Sequence, residues 1–172
     1  SDSAGAGQRV AVNLAGIKKN EIERGDVLAP AGSLSRSMML DVRLSVLSDS
    51  PFDIKSGSRV HFYHGARTTL CKVILLDQDL LSPGQSGYAQ LRFEEEVSLK
   101  PGDRFVIRFY SPLLTIGGGI VLDPAPRKHK RMDNDVLAGL RIRETGTFLE
   151  RLARILEEES GAFQTIDRFA LR

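Results

Sequence analysis

Three histidines, one cysteine, a triple glycine and one dense run of cations are the residues of this 172-residue chain whose types could do chemistry. A metal or acid–base role for His61, His64 or His129 requires Cys, His or carboxylate partners at ligand spacing, and none of the three sits in such a cluster. His61 and His64 fall on or just after one strand, as edge or surface side chains do. No G-x-S-x-G or H-E-x-x-H occurs, so no hydrolytic constellation is present. Cys71 lies inside the apolar run 70–76, where a thiol is buried and unreactive. Glu94, Glu95 and Glu96 fall at a strand end and read as a solvated edge that discourages edge pairing.

Gly117, Gly118 and Gly119 invite comparison with a phosphate loop. Such a loop is followed by Lys and Ser/Thr opening a helix whose N-terminus faces the phosphate. Here Ile120, Val121 and Leu122 follow, which is a strand. The glycines therefore read as a β-bulge or tight corner where a partner's backbone can come close. G-x-x-x-x-G-K-[ST] and N-K-x-D are absent, and the single D-x-x-G, from Asp2 to Gly5, is a chance match. No nucleotide site is expected in this chain. The run Arg127, Lys128, His129, Lys130 and Arg131 has two readings, a solvated linker or a set of phosphate contacts needing only point charges within reach of a backbone. Arg104 and Arg108, on the strand before the glycines, would extend it into a basic path.

These groups must be positioned by strands. Apolar and polar residues alternate at period two through most of the chain: Val10, Val12 and Leu14; Leu40, Val42, Leu44 and Val46; Val60 and Phe62; Ala89, Leu91 and Phe93; Phe105, Ile107 and Phe109. The run 70–76 is almost continuously apolar, broken only by Lys72, and reads as a strand covered on both faces, and a last strand is expected over 119–122. Gly, Pro and Ser turns between short strands predict a mainly β protein with an antiparallel six-stranded barrel over 38–124. Residues 1–37 are expected to be the last strands of a preceding barrel plus a linker. The start SDSAGAG lacks Met and leads straight into a strand pattern, which predicts a fragment of a longer protein. Pro124 and Pro126 stop strand pairing, and 125–172 is expected to be a basic linker and a helical segment. There Phe148, Leu149, Leu152, Ile155 and Leu156 recur at helical spacing, with Gly161 ending the helix and Thr165 capping a short final one.

Composition sets the class. Hydrophobic residues make up 41% and charged residues 27%, ordinary for a globular protein, and a formal charge of +2 requires any nucleic-acid site to be a local patch. One cysteine excludes an internal disulfide framework and suits a reducing compartment. No apolar run reaches the about 18 residues of a membrane span, so a cytoplasmic protein without membrane contact is expected.

Two segments carry a specific resemblance. GQRVAVNLAGIKKNEIERGDVLA, from Gly7 to Ala29, resembles the end of the second domain of elongation factor Tu-type translational GTPases, through Leu14, Gly16, Ile17, Glu21, Ile22, Arg24, Gly25, Val27, Leu28 and Ala29. GDRFVIRFYSPLLTIGGGIVLDPAPRKHKR resembles the closing strands of the third domain of the selenocysteine-specific branch, with Tyr110-Ser111-Pro112 and Thr115-Ile116-Gly117-Gly118-Gly119 where general members carry R-E-G-G-R-T-V-G-A-G. The segment 87–92 and His64-Gly65 resemble that branch too. The resemblance covers about residues 7–131 and implies a barrel that binds selenocysteinyl-tRNA for delivery to the ribosome and UGA recoding. It places His64, Arg67, Arg108, Tyr110, Ser111, Thr115 and Gly117 at tRNA-facing positions, and Arg127, Lys128, Lys130 and Arg131 extend that path.

The resemblance also sets Arg9 where the general factor has an amino-acid-pocket asparagine. A selenol is an anion at neutral pH where a thiol is mostly protonated, so an arginine facing it gains a charge-assisted contact. GTP and Mg²⁺ are implied only for a domain outside this chain, and this fragment is expected to be non-catalytic and without cofactor. Recognition of the selenoprotein mRNA hairpin is implied for winged-helix modules after the third domain; residues 125–172 are expected to be the basic linker and helical start of that extension, too short to supply its RNA-reading end. A fragment of a general aminoacyl-tRNA factor and a protein-interaction barrel without RNA affinity are the alternative readings.

Overall fold

The computed structural model describes residues 3–159. The period-two pattern becomes strands β1 (Ser37–Val46), β3 (Arg59–His64), β4 (Arg67–Leu75), β6 (Ser86–Val97), β7 (Arg104–Phe109) and β8 (Thr115–Asp123). Two short strands, β2 (Ile54–Lys55) and β5 (Leu80–Leu81), pair with each other. The six longer strands close an antiparallel barrel in the order β1-β6-β4-β3-β7-β8, as the alternation predicted. Inward positions hold Leu40, Val42, Leu44, Val60, Cys71, Val73, Leu91, Ile107 and Val121, all buried. Phe62 anchors them, edge-on to Phe93 at 4.9 Å and stacked on Phe105 at 5.0 Å. Cys71 is buried among them, and burial pushes its thiol up to about 12, so it is inert as expected.

Three sequence expectations change. The run 70–76 is covered on the inner face only along its first half: Lys72 is exposed and Leu70 half-buried on the outer face, while Ile74 and Leu76 gain an outer cover. The last strand begins at Thr115 rather than 119, so the glycines are strand interior and not a corner. Residues 8–29 form no strand among the described residues, only the short helical turn Lys19–Glu21. Val10, Val12, Ile17, Val27 and Leu28 are exposed there. A strand requires a free edge to pair with, and a closed barrel has none.

The tail packs back on the barrel. Helix α1 (Asn134–Thr145), which the helical spacing at 148–156 did not reveal, is capped by Asp133, whose side chain accepts from the Asp135 and Val136 amides. Its Leu140, Val136 and Leu137 cover Leu76, Tyr88, Ile74 and Leu122 on the outer face. Glu144 accepts from the Tyr88 hydroxyl at 2.6 Å and pairs with Arg43 at 3.5 Å. Helix α2 (Phe148–Glu159) forms as expected and is tied to α1 by Arg154, which reaches Asp135 and Glu158, both at 2.7 Å. Gly161 and Thr165 lie outside the described residues. Among the described residues no helix is long and apolar enough to cross a membrane.

Candidate nucleic-acid interface

Antiparallel register decides which side chains share a face. On β3 the alternation that turns Val60 and Phe62 inward turns Arg59, His61 and Tyr63 outward. His61 stands opposite Arg108 of β7, and Arg108 opposite Thr115 of β8, so three expected or neighbouring polar groups lie in one cross-strand line. Tyr110, half exposed just beyond β7, stacks on the His61 ring at 5.5 Å with the planes 6° apart. The Arg59 guanidinium lies 5.4 Å from the Tyr110 ring centre, and that of Arg108 lies 5.7 Å from the Tyr63 ring. Arg108 also donates to the Leu113 carbonyl at 2.9 Å, which holds the loop carrying Ser111 and the cis bond to Pro112. The result is a platform of two guanidinium groups and three aromatic rings beside Thr115 and Ser111, with Arg59 and Tyr110 exposed and His61, Tyr63 and Arg108 half-buried, the donor and π-face set that sugar–phosphate and unstacked bases use.

Other expected residues sit elsewhere. His64 and Arg67 pair across the β3–β4 hairpin at the end of the barrel. His64 bonds the Arg104 carbonyl at 3.1 Å and faces Asp103 at 3.7 Å. Arg67 is held by Glu95 at 3.3 Å and by Asp26 at 4.0 Å. Both line a groove of ≈ 950 Å³ between the barrel and the N-terminal segment. At Gly25 that segment comes so close that an added Cβ would lie 2.6 Å from the Arg67 Cβ. Gly117 is buried: side chains at Gly117 and Gly119 would meet β1 carbonyls, and one at Gly118 a β7 carbonyl. The partner backbone that comes close to the glycines is thus the barrel's own.

The basic run is a strap rather than a free linker. His129 bonds Asp41 at 2.6 Å, and the Arg127 carbonyl accepts from Gln90 at 2.8 Å. Arg131 donates to the Leu75 and Gln78 carbonyls at 2.8 and 3.0 Å and pairs with Asp79. Arg127, Lys128 and Lys130 remain exposed, while Arg131 is spent on the fold. Arg9 is exposed on the N-terminal segment.

The model of the selenocysteine-specific elongation factor β-barrel domain matches residues 41–128, which takes in β1 from Asp41 onward and every later strand of the barrel. The chain belongs to the selenocysteine-specific elongation factor family. It is 42% identical over 136 residues to the selenocysteine-specific elongation factor of Desulfomicrobium baculatum, covering 79% of this chain and 22% of that protein. Against the Haemophilus influenzae factor of the same name it is 29% identical over 164 residues, 93% of this chain and 26% of that protein. A crystal structure of a bacterial selenocysteine-specific elongation factor, EF-Sec, shares the fold with a TM-score of 0.71 at 21% identity, over 91% of this chain and 23% of that one. The chain therefore spans about a quarter of the length of the relatives it matches.

The triple glycine is filled by neighbouring carbonyls, and among the described residues no group of three or more His, Cys, Asp or Glu could hold a metal. Sequence reasoning missed Arg59, Tyr63, Lys72 and Arg92 in this family's barrel. Each is an outward strand position, a signal the alternation carries, but which of them are neighbours depends on register, and the sequence leaves register open.

Proposed function

We propose that this barrel holds the backbone of selenocysteinyl-tRNA for a GTP-dependent factor that delivers it to the ribosome at UGA codons. The observation that carries the reading is the Arg59–His61–Tyr63–Arg108–Tyr110 platform, an outward-facing set of cations and rings on one face of a domain of this family. Arg108 supplies a charge-assisted contact to phosphate, Ser111 and Thr115 supply hydroxyl donors, and Tyr110 supplies a stacking face. Arg127, Lys128 and Lys130 add cations on the adjoining strap. Arg9, exposed and without an ion pair among the described residues, is available to a selenolate. GTP hydrolysis and recognition of the mRNA hairpin belong to parts of the parent protein beyond this chain.

The test is a titration with the selenocysteine-accepting tRNA across a salt series. Arg108→Ala is expected to weaken binding and to flatten the slope of log K against log salt by about 0.9, the share of one phosphate. An unchanged slope removes Arg108 from the interface. Arg9→Ala is expected to leave that slope alone and to narrow the preference for the selenocysteinyl over the seryl form. Salt-independent binding of a protein, with none of RNA, would favour the interaction-barrel reading instead.

A further inference from the structure

A second cationic feature shares Arg59 with that platform and runs on from it over the neighbouring strands. Arg59 of β3 stands directly opposite Lys72 of β4, and Lys72 directly opposite Arg92 of β6. All three point outward, since Val60, Cys71 and Phe93 beside them fill the core. Adjacent strands lie about 4.8 Å apart, so the three cations form a row of about 10 Å around the barrel. The strap adjoins it: Gln90 accepts from Arg92 at 3.1 Å and donates to the Arg127 carbonyl at 2.8 Å, which fixes the backbone of exposed Arg127 one residue away from Arg92 in the hydrogen-bonded chain.

Such a row costs stability, because like charges directly opposite one another repel. The alternative was at hand. Glu94, Glu95 and Glu96 follow Arg92 on β6, yet the register puts Arg92 across from Lys72. Only Arg59 draws a carboxylate, Glu94; no ion pair reaches Lys72 or Arg92 among the described residues. The charge left at Lys72 and Arg92 is relieved by an anionic ligand with repeated charges. At its Arg59 end the row runs into the stacked Tyr110 and His61 rings, whose π-faces suit the bases of a nucleic acid better than the carboxylates of an acidic peptide.

We infer that Arg59, Lys72, Arg92 and Arg127 form a phosphate track that continues the tRNA backbone around the barrel from the Tyr110 platform. The inference rests on the proposed tRNA-binding reading and adds to it a second set of contacts on strands β4 and β6. Lys72 is the residue that tests it, being exposed and committed to no other partner.

The experiment titrates the full chain, and its Lys72→Gln, Lys72→Glu and Arg108→Ala variants, with selenocysteine-accepting tRNA over a salt series, with polyglutamate as a second probe and a thermal melt of each variant. Lys72→Gln is expected to bind about threefold more weakly and to lose about 0.9 from the salt slope, and Lys72→Glu to lose more. Both melts should stay level or rise, since repulsion is removed. Normal tRNA binding by Lys72→Gln, with Arg108→Ala impaired, overturns the track and leaves the platform standing. Absence of tRNA binding by the unmodified chain overturns both. Lys72-dependent capture of polyglutamate in place of tRNA assigns the row to an acidic protein, and a clear drop in melting temperature makes Lys72 structural; either result overturns the inference.

Discussion

Gly119→Ala should cost the barrel about 4 kcal/mol or more, enough to remove much of the stability of an ordinary domain. The added Cβ would sit 2.8 Å from Phe105 Cζ and well inside contact with the Arg43 carbonyl oxygen. The Phe105 ring is packed on Phe62, so it has little room to turn aside. The carbonyl belongs to β1, whose Leu44 stands opposite Gly119, so relief requires sliding β1 away from β8. In a closed barrel that movement opens the sheet, because both strands are also paired on their other edges. Urea unfolding should show the midpoint falling with an unchanged slope. Gly102→Ala is the control: Gly102 has φ of 87° and nothing within 4 Å, so only backbone strain of about 1 kcal/mol is expected there. Equal losses at the two positions would mean that conformational freedom, and not the approach of β1, is why glycine stands at 119.

That pair shows what was legible in the sequence. Alternation at 40–46, 89–93 and 105–109 named the strands, and it named the inward residues, because a half-buried strand writes its two faces in alternate letters. The triple glycine was legible as a close approach of backbones, but not whose backbone, since that depends on the closure order β1-β8-β7. Helix α1 escaped notice because only one stripe of it, Val136, Leu137 and Leu140, is apolar, and Arg141 and Arg143 dilute the pattern. On the candidate interface Arg108, Tyr110 and Thr115 were found through motif resemblance. Arg59, Lys72 and Arg92 were not, being ordinary strand cations until pairing puts them side by side. His129 was read as one member of a basic run, and nothing local in the sequence tells that its partner is Asp41, 88 residues away.

His129→Ala should destabilise the chain by about 3–5 kcal/mol, the cost of removing one partner from a buried ion pair. Asp41 is 1% exposed and points outward into a pocket that the strap closes. Its carboxylate takes one contact from His129 at 2.6 Å and one from Gln90 at 3.0 Å. Without the imidazole, Gln90 alone faces that charge, and burial then favours the neutral acid. Adding Asp41→Asn to His129→Ala should recover most of the loss, because an amide needs no counter-charge.

The same pair gives a pH signature. The hydrogen bond to Asp41 raises the His129 pKa, with the Asp123 and Glu158 charges adding to it, while burial works against it. Asp41 is raised as well, chiefly by burial, against the lowering influence of His129. In both cases the folded chain holds its proton to higher pH than the unfolded one, where histidine titrates near about 6.5. The stabilisation from His129 is therefore complete below that value and is lost as pH rises through the folded pKa. Urea midpoints measured from pH 5 to pH 9 should fall on the alkaline side for the native chain and lie flatter for His129→Ala. A native chain whose stability is level across that range would mean that His129 binds Asp41 as a neutral donor, and the strap would then be held by Arg131 and the Gln90–Arg127 contact without an ionised His129–Asp41 pair.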